Sequence, residues 1–435
     1  MAQLRREGIK LKLLLINAIS TNAPDRLHPP LGLAYLAASL RKEFGKEIEC
    51  KIIDSNMASE IQLFYPDVVG ITSVSKNYNI AKGYAAIAKH YNIPVIIGGV
   101  HISALPETMT DNMDIAVIGE GEETIAELLS SFLETKHFGK YIKNTAYKIN
   151  NDLQITLSRD LIKPLDNIPF PSRDLLTIGK HTLMLTSRGC PYKCAFCSTS
   201  RHTRNQVRYH SAEYVVAEME MIYREYKPEY ITIYDDLFAM DTKRVIEIQQ
   251  RMAAKNLIGK FSLAINTRSN FVTDELAEVL QGMNVKVVAI GVESGCQKTL
   301  DYLKSGGITV EDNARAVRII KKHHMIPYCV FIIGSPDEDM ESVLQTVEFI
   351  ENNKIDHYDI NVLTAYPGTP VWDYALSRGI VSNGMDWSKL DFTVNPDQII
   401  LSEKLSRQDL DDILKRLDDR KKRKLLKRKI MNVIK

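Results

Sequence analysis

Three cysteines in one short stretch carry the clearest chemistry in this sequence. Cys190, Cys194 and Cys197 stand in the text SRGCPYKCAFCS, with the spacing Cys-x3-Cys-x2-Cys. Thiolates are the ligands that iron–sulfur clusters use. Three cysteines would ligate three irons of a [4Fe–4S] cluster and leave the fourth iron open to an amine and a carboxylate. The methionine end of S-adenosylmethionine (SAM) is one small molecule that supplies both groups. The spacing therefore predicts a cluster with one open iron.

A zinc site is the main alternative for these cysteines. Structural zinc takes four protein ligands, and His202 is near, but no fourth cysteine or histidine follows at the spacing of a zinc finger. The remaining cysteines, Cys50, Cys296 and Cys329, are scattered along the chain. This usage is a poor disulfide framework and a good metal framework. It predicts a reducing, cytoplasmic compartment.

The cysteine stretch follows a predicted strand, which must hold it in place. From residue 181 onward, short apolar runs alternate with amphipathic helical patterns. The six apolar runs are HTLMLTS, YITIYD, KFSLAIN, KVVAIGV, PYCVFIIG and HYDINVLT. Six strand–helix units predict a partial (β/α)6 barrel, in which chemistry collects on the loops at the carboxyl ends of the strands. The cysteines lie on the first of these loops.

The N-terminal part of the chain shows a second alternation of strands and helices, over residues 11–134. Its strands are almost continuously apolar, which is typical of a parallel sheet covered on both faces. We therefore predict an α/β chain with an N-terminal doubly wound, Rossmann-like domain ahead of the barrel. The first strand is followed by no glycine until Gly32, so the dinucleotide fingerprint is missing and NAD is disfavoured.

Glycines do follow two later strands of this N-terminal domain. Gly98 and Gly99 come after the fourth strand, and Gly119 and Gly121 after the fifth. Glycine lets a ligand approach the backbone closely, and ligands of doubly wound sheets bind beyond the carboxyl ends of the strands. The four glycines are therefore candidate binding residues.

The cysteine stretch, with Phe196 just before the third cysteine, resembles the signature of radical SAM enzymes. The resemblance extends over residues 181–370. It implies a [4Fe–4S] cluster that cleaves SAM reductively to a 5′-deoxyadenosyl radical. Such chemistry belongs to the cofactor, while the protein positions and shields it.

The ends of three barrel strands extend this resemblance to the family's SAM contacts. It implies Asp235 or Asp236 near the SAM amino group, Glu293 and Ser294 on the ribose, and Gly334 and Pro336 near the adenine. For the aspartates, a role in the turn before the next helix is an equal alternative, since Asp241 starts that helix. The turn at Gly334 departs from the family pattern, because Ser335 and Asp337 stand where leucine and glycine are commoner.

Residues 11–134 resemble the B12-binding domain of cobalamin-dependent radical SAM proteins. The resemblance rests on the texts PDVVGITS, VIIGGVH and VIGEGEET. It implies cobalamin, with the four glycines as its candidate contacts. The text Asp-x-His-x-x-Gly, which supplies a cobalt ligand in other B12 proteins, is absent. We therefore expect no histidine on cobalt, His101 included.

These patterns divide the chain into four segments. They are a B12-binding-like domain (1–134), a linker (135–180), the radical SAM barrel (181–370) and a C-terminal helical extension (371–435). Within the extension, residues 405–435 are basic and carry an apolar stripe. We expect a helix that docks on the barrel, and the alternative is a contact with an anionic membrane surface.

The composition of the chain narrows its possible partners. Of its 435 residues, 45% are hydrophobic and 25% are charged, and the formal net charge is +2. This balance is ordinary for a globular protein and argues against a nucleic-acid partner. No apolar run reaches the roughly 20 residues of a membrane span.

The leading functional hypothesis from the sequence is a cobalamin-dependent radical SAM methyltransferase. It implies a small-molecule or natural-product substrate and an electron donor such as flavodoxin or ferredoxin. One alternative is a radical SAM dehydratase, epimerase or cyclase with a vestigial B12 domain. Another is a non-catalytic iron–sulfur protein for electron transfer or scaffolding. The sequence assigns no catalytic residue and no particular substrate.

Overall fold

Continuous apolar runs form the strands of the N-terminal sheet. Residues 13–16 of its first strand are fully buried, as expected of a strand with helices on both faces. The computed structural model describes residue 8 and residues 10–20, 28–392 and 397–417. The elements of this domain are β1 (Leu11–Ala18), α1 (Leu31–Phe44), β2 (Ile48–Ile53), α2 (Met57–Phe64), β3 (Val68–Ser73), α3 (Tyr78–His90), β4 (Val95–Gly98), α4 (Val100–Ala104), β5 (Ile115–Val117), α5 (Glu122–Thr135), β6 (Thr145–Ile149) and β7 (Asp152–Ile155).

The strand order of this sheet is β2-β1-β3-β4-β5-β6-β7. Strands β1 to β5 are parallel, whereas β6 and β7 form an antiparallel hairpin at the edge. The hairpin lies in the segment predicted as a linker and adds two strands to the sheet. The order reverses between β1 and β3, and in doubly wound sheets the ligand crevice lies at such a switch point.

A single hydrophobic cluster holds α1 and α5 on one face of this sheet. Leu13 and Leu15 of β1 pack with Leu33 and Leu40 of α1 and with Leu128 of α5. All five side chains are buried. Truncation of one such leucine to alanine costs about 2–5 kcal/mol of stability. The cluster therefore fixes the sheet that presents the glycine-bearing strand ends.

The chain continues through six elements around the cysteines. They are β8 (His181–Met184), β9 (Ser187–Arg188), α6 (Thr199–His202), β10 (Arg208–Tyr209), α7 (Ala212–Tyr226) and β11 (Tyr230–Ile233). Strands β8 and β11 pair in parallel, and β9 pairs with β10 in antiparallel fashion. The cysteines directly follow β9.

Four further parallel strands alternate with helices in the rest of the chain. The elements are α8 (Thr242–Ala254), β12 (Ser262–Thr267), α9 (Asp274–Gly282), β13 (Val285–Glu293), α10 (Gln297–Lys304), α11 (Val310–Lys322), β14 (Ile326–Ile333), α12 (Met340–Asn352), β15 (His357–Val362), α13 (Pro370–Ser377) and α14 (residues 407–417). The parallel pairs are β12 with β13, β13 with β14 and β14 with β15.

Side-chain caps explain where many of these helices begin. The capping residues are Ser211, Asp241, Thr273, Thr309, Asp339 and Thr369. Each accepts a hydrogen bond from a backbone N–H of the first helical turn, which contributes about 1 kcal/mol. Thr309 and Asp312 form a full capping box at α11.

The elements group into two compact units. The first unit contains residues 1–190, 198–234 and 382–388, and the second contains residues 191–197, 235–381 and 389–435. Strands β1 to β11 belong to the first unit and β12 to β15 to the second. The predicted strand–helix alternation is confirmed, with β9 and β10 added as a short antiparallel pair, and so is the α/β class with parallel sheets.

Helix α14 docks on the second unit through the apolar stripe that the sequence predicts. Leu410, Ile413 and Leu417 are buried in a cluster with Ile333 of β14 and Val362 of β15. This confirms the docked helix for residues 407–417, while the basic residues after 417 lie outside the described part. No helix in that part combines the length and apolar character that a bilayer crossing requires.

Candidate functional site

The approach to the first cysteine depends on a glycine. Gly189 has φ +102°, and a Cβ atom there would lie 2.1 Å from the carbonyl oxygen of Gln206. Any larger residue would push these two backbone segments apart. Glycine therefore lets the chain turn directly from β9 into Cys190.

An ionic cluster in the first unit fixes the same strand pair. The carboxylate of Glu120 accepts hydrogen bonds from both terminal nitrogens of Arg208, at 2.6 and 2.9 Å, and from Arg188 at 3.1 Å. Arg188 also pairs with Glu122 at 2.6 Å. Burial raises the pKa of Glu120, but the hydrogen bonds and charges of Arg208 and Arg188 outweigh it and lower the pKa overall. These arginines therefore bind an ionised carboxylate.

This cluster changes the interpretation of the loop that carries Gly119 and Gly121. The glutamates beside these glycines bind the arginines that lead into the cysteine stretch. A Cβ atom at Gly121 would lie 3.2 Å from Leu36, whereas Gly119 has φ +76° and open surroundings. The sequence predicted only ligand contacts here, and the structure adds a role in positioning Cys190.

The second half of the cysteine stretch is fastened within the second unit. The backbone N–H of Ala195 donates to the carbonyl of Leu303 at 2.9 Å, and the carbonyl of Ala195 accepts from Val371 at 3.1 Å. The hydroxyl of Ser305 donates to the carbonyl of Lys193 at 2.6 Å. Two hydrogen bonds therefore hold the segment between the second and third cysteines, and a third holds the residue just before the second cysteine.

The three motif thiols differ from the other cysteines in exposure. Cys190, Cys194 and Cys197 are partly exposed, whereas the remaining three are buried, and no disulfide forms among the described residues. Burial raises the pKa of Cys50 and of Cys329 to about 12, so these two are inert small side chains. The motif thiols are the accessible ones.

The motif cysteines fit an iron–sulfur cluster in ligand type, number and accessibility. In the described part of the chain, no three His, Cys, Asp or Glu side chains are gathered closely enough to hold a metal ion. Burial raises the pKa of Cys194, while the nearby cations Lys304 and Arg268 oppose this rise. Both cations favour the thiolate that a cluster requires.

Glu293, predicted to contact SAM, lies at the end of β13 in an unusual conformation. It has φ +62°, and its carboxylate forms an ion pair with Lys304 at 2.8 Å, with both side chains buried. A Cβ atom at Gly291 would lie 2.2 Å from this carboxylate. Strained, non-glycine left-handed residues cluster at functional sites, and the contact of Glu293 with SAM stays a prediction.

Ser294, its predicted companion, has an internal role instead. The side chain is fully buried. Its hydroxyl lies 3.1 Å from that of Thr346 and accepts a hydrogen bond from the backbone of Cys296 at 3.1 Å. The hydroxyl therefore stabilises the turn after β13. Of the predicted aspartates after β11, Asp235 is buried and Asp236 is exposed.

The turn after β14 is organised by a glutamate that is not among the predicted SAM contacts. Gly334 has φ +86°. The carboxylate of Glu338 accepts hydrogen bonds from the backbone N–H groups of Gly334 at 2.6 Å and Ser335 at 3.1 Å. Burial raises its pKa to about 7 although these two bonds oppose the rise. Glu338 thus shapes the turn that contains Gly334 and Pro336, and its position two residues after the proline was the available signal.

The carboxyl edge of the N-terminal sheet offers an apolar surface at the ends of β3 and β4. Val74 and Val100 are 48% and 47% exposed. A Cβ atom at Gly98 would meet nothing within 4 Å. The hydroxyl of Ser73 is buried without a hydrogen-bond partner in the described part of the chain. Exposed valines, open space and an unsatisfied hydroxyl fit a large, mostly apolar ligand with polar groups, as cobalamin is.

Gly99 has a structural role and leaves no open space for a ligand. It has φ +100°, and a Cβ atom would lie 2.6 Å from the hydroxyl of Thr72 and 2.7 Å from the carbonyl of Ser73. The glycine is therefore required for the close approach of β4 to the end of β3. Of the glycine pair that the sequence singled out, Gly98 is the residue with room for a ligand.

His101 lies just beyond this edge, and its ring is packed against neighbouring side chains and hydrogen-bonded to them. Its ring nitrogens lie 3.1 Å from the hydroxyls of Ser75 and of Thr108. The ring stacks on Tyr78 at 3.8 Å and meets the edge of Trp387 at 4.5 Å. Burial lowers its pKa to about 3. His101 therefore stays neutral, and neither ring nitrogen is available to a metal.

Comparison with known proteins matches two families, in the predicted order. The B12-binding domain matches residues 19–129 and the radical SAM superfamily matches residues 184–350. Both predicted resemblances are confirmed.

Individual relatives and solved structures extend over most of the chain. An uncharacterized methyltransferase of Pyrococcus horikoshii is 34% identical, over 89% of this chain and 87% of its own length. The anaerobic magnesium-protoporphyrin IX monomethyl ester cyclase of Cereibacter sphaeroides is 24% identical, over 88% of this chain and 65% of its own. The radical SAM methyltransferase TsrM of Kitasatospora setae, solved with tryptophan and a SAM analogue, has a TM-score of 0.72 at 18% identity, covering 85% of this chain and 76% of its own. The similarity to TsrM shows that the two proteins share a fold.

Proposed function

The chain belongs to the radical SAM proteins with an N-terminal B12-binding domain, and on that premise we propose that it is a cobalamin-dependent methyltransferase acting on a small molecule. One observation carries the proposal. The same chain presents three accessible cysteines at the radical SAM spacing and, on its N-terminal sheet, an apolar edge with open space at Gly98. Cobalamin would fill that open space.

Different residues would bind each of the two cofactors. When bound, the cluster with SAM supplies a 5′-deoxyadenosyl radical, and cobalamin supplies a carrier for a methyl group. Cys190, Cys194 and Cys197 would hold the cluster through their thiolates. Glu293, whose carboxylate is already oriented by Lys304, would accept hydrogen bonds from the ribose hydroxyls of SAM.

The N-terminal sheet would bind the corrin without a histidine on cobalt. Val74 and Val100 give it apolar surface, and Gly98 leaves room at the backbone. The buried hydroxyl of Ser73 would find a polar partner on the ligand, which removes the penalty of an unsatisfied group. His101 would remain hydrogen-bonded to Ser75 and Thr108.

A cyclase or another radical reaction is the second candidate. It is favoured by the likeness to the anaerobic cyclase, which spans 88% of this chain. The site residues for SAM would serve this reaction equally well, since both begin with hydrogen abstraction. The two candidates differ in whether SAM also donates its methyl group.

The remaining partners follow from this chemistry. Reductive cleavage of SAM needs one electron from outside the chain, so we propose a flavodoxin or ferredoxin as the donor. Accessible thiols persist in a reducing compartment, and we place the protein in the cytoplasm. The substrate is a small molecule or natural product.

The experiment that tests the proposal follows both products of SAM. The protein is reconstituted anaerobically with iron, sulfide and hydroxocobalamin, then incubated with SAM and dithionite. We expect 5′-deoxyadenosine from radical cleavage and S-adenosylhomocysteine from methyl donation, the latter only in samples that contain cobalamin. Replacing the three motif cysteines by alanine should abolish 5′-deoxyadenosine, whereas Cys50→Ala should not. Formation of 5′-deoxyadenosine with no cobalamin-dependent S-adenosylhomocysteine would favour the second candidate.

A further inference from the structure

A buried arginine in the second unit contacts the cysteine stretch. Arg268 follows β12 and is 3% exposed. Its guanidinium carbon lies 4.0 Å from the ring centroid of Tyr192, between the first two motif cysteines. One terminal nitrogen lies 4.0 Å from the sulfur of Cys194, and the other donates to the carbonyl of Gly306 at 3.2 Å. The guanidinium is therefore fixed between an aromatic ring, a carbonyl and a thiol.

This buried cation has no carboxylate partner. In the described part of the chain, Arg268 forms no ion pair, and its Nε is buried without a hydrogen-bond partner. A buried charge is strongly unfavourable unless another charge compensates it. The thiol of Cys194, 4.0 Å from the guanidinium, can become an anion, and it is a thiolate whenever it ligates iron.

The other cation close to Cys194 is already compensated. Lys304 forms its ion pair with Glu293 at 2.8 Å, so these two charges cancel locally. Arg268 is then the cation whose charge is left to act on the cysteine stretch.

We propose that Arg268 is the counter-ion of the cluster, raising its reduction potential through Cys194, and that Tyr192 positions the guanidinium. The proposal rests on the proposed function only in requiring a cluster on the three cysteines. Reduction adds one negative charge to the cluster, and a fixed cation beside it stabilises the reduced form. Hydrogen bonds to cluster sulfurs and local charge are known determinants of such potentials.

The geometry calls for arginine in particular. A flat guanidinium can stack on Tyr192 and still direct one nitrogen at Gly306 and another at Cys194. A lysine ammonium would keep the charge but lose the stack and the second fixed donor. We therefore expect Arg268→Lys to retain only part of the effect.

The test measures the cluster potential without SAM or substrate. Wild type, Arg268→Gln, Arg268→Lys and Tyr192→Leu are reconstituted with iron and sulfide, and iron per chain is counted. The reduced cluster is then followed by EPR during an anaerobic redox titration. Arg318→Gln is the matched control, since it removes an exposed arginine that pairs with Glu311 on α11.

At the potential where half of the wild-type clusters are reduced, Arg268→Gln should lower the ratio of reduced to oxidised cluster about tenfold, which is 59 mV for one electron. Arg268→Lys and Tyr192→Leu should lower it less, and the control should not change it. The inference is overturned if Arg268→Gln has the iron content of wild type and the same ratio of reduced to oxidised cluster. If Arg268→Gln binds no iron, Arg268→Lys and Tyr192→Leu provide the test. A wild-type ratio of reduced to oxidised cluster in both of them overturns the inference.

These outcomes separate the inference from the function on which it rests. Wild-type protein that takes up no iron refutes the cluster itself, and the inference with it. Wild-type protein with a normal cluster and an unmoved potential in the variants refutes only the role of Arg268.

Discussion

The carboxylate of Glu120 accepts a hydrogen bond from Arg188, which stands two residues before Cys190. Glu120 belongs to the loop after β5 of the N-terminal sheet, and Arg188 ends β9. The contact therefore links a loop expected to serve cobalamin with the strand that leads into the cysteine stretch. Arg208 and Glu122 complete this ionic cluster.

Removing the charge of Glu120 should loosen the first cysteine. Glu120→Gln leaves Arg188 and Arg208 without their shared carboxylate, and we expect a loss of about 1–3 kcal/mol of stability, the range for losing a hydrogen bond to a charged group. Denaturant unfolding measures the stability, and iron retention after reconstitution measures the effect on Cys190.

The matched control is Glu123→Gln, because Glu123 forms an ion pair with Arg159 while 56% exposed. Such surface pairs contribute about 0–1 kcal/mol. Equal losses in the two variants would mean that the ionic cluster has no special role.

The contact of Glu293 with SAM is tested by a variant that avoids leaving a buried charge. Glu293→Gln alone would leave Lys304 unpaired, so we combine it with Lys304→Met. This double variant should fold and bind SAM more weakly by about 1–3 kcal/mol, the value of a hydrogen bond to a charged group. Equilibrium dialysis on the reconstituted protein measures the affinity.

Ser294→Ala provides the contrast. Since its hydroxyl bonds within the turn, this variant should lose stability and keep its affinity for SAM. Weaker SAM binding in Ser294→Ala than in the double variant would reverse the two assignments.

Substitution at Gly98 should exclude the corrin without harming the fold. Gly98→Val places its side chain where the structure is open, so the protein should remain as stable as wild type and retain less cobalt after incubation with hydroxocobalamin. Gly99→Val should destabilise the protein, because its Cβ overlaps Thr72 and Ser73. Undiminished cobalt in Gly98→Val would move the corrin away from the end of β4.

His101 should make stability depend on pH. Its pKa in the folded protein is about 3, below the value of about 6.5 in an unfolded chain. Between these values the unfolded state binds the extra proton, so stability is full above about pH 6.5 and falls as the pH drops toward 3. His101→Asn should flatten this dependence, and His357→Gln, at an exposed position, should not. Unfolding in denaturant at several pH values between 4 and 8 distinguishes them.

The sequence predicts the elements of this protein better than their contacts. The apolar runs at residues 13–16 and the alternation that follows indicate a parallel sheet, since only a strand covered on both faces is apolar throughout. The cysteine spacing likewise predicts the cluster from ligand chemistry alone. Both are local properties of the chain.

The features that the sequence does not predict depend on distant partners. Glu120 and Arg208 are 88 positions apart, and Arg268 and Cys194 are 74 apart. The sequence does not distinguish Gly98 from Gly99, and it is the contact with Thr72 and Ser73 on the neighbouring strand that requires glycine at the second position. Such pairs become visible once the strands are placed side by side.

The central claim, that one chain holds both an iron–sulfur cluster and cobalamin, is tested most directly by metal analysis of a single preparation. Protein reconstituted anaerobically with iron, sulfide and hydroxocobalamin, then freed of unbound metal, is assayed for iron and cobalt per chain. We expect about four irons and cobalt equimolar with the chain. Iron without retained cobalt would leave a radical SAM enzyme that does not use its N-terminal domain for cobalamin, and tightly bound zinc without iron would contradict the account altogether.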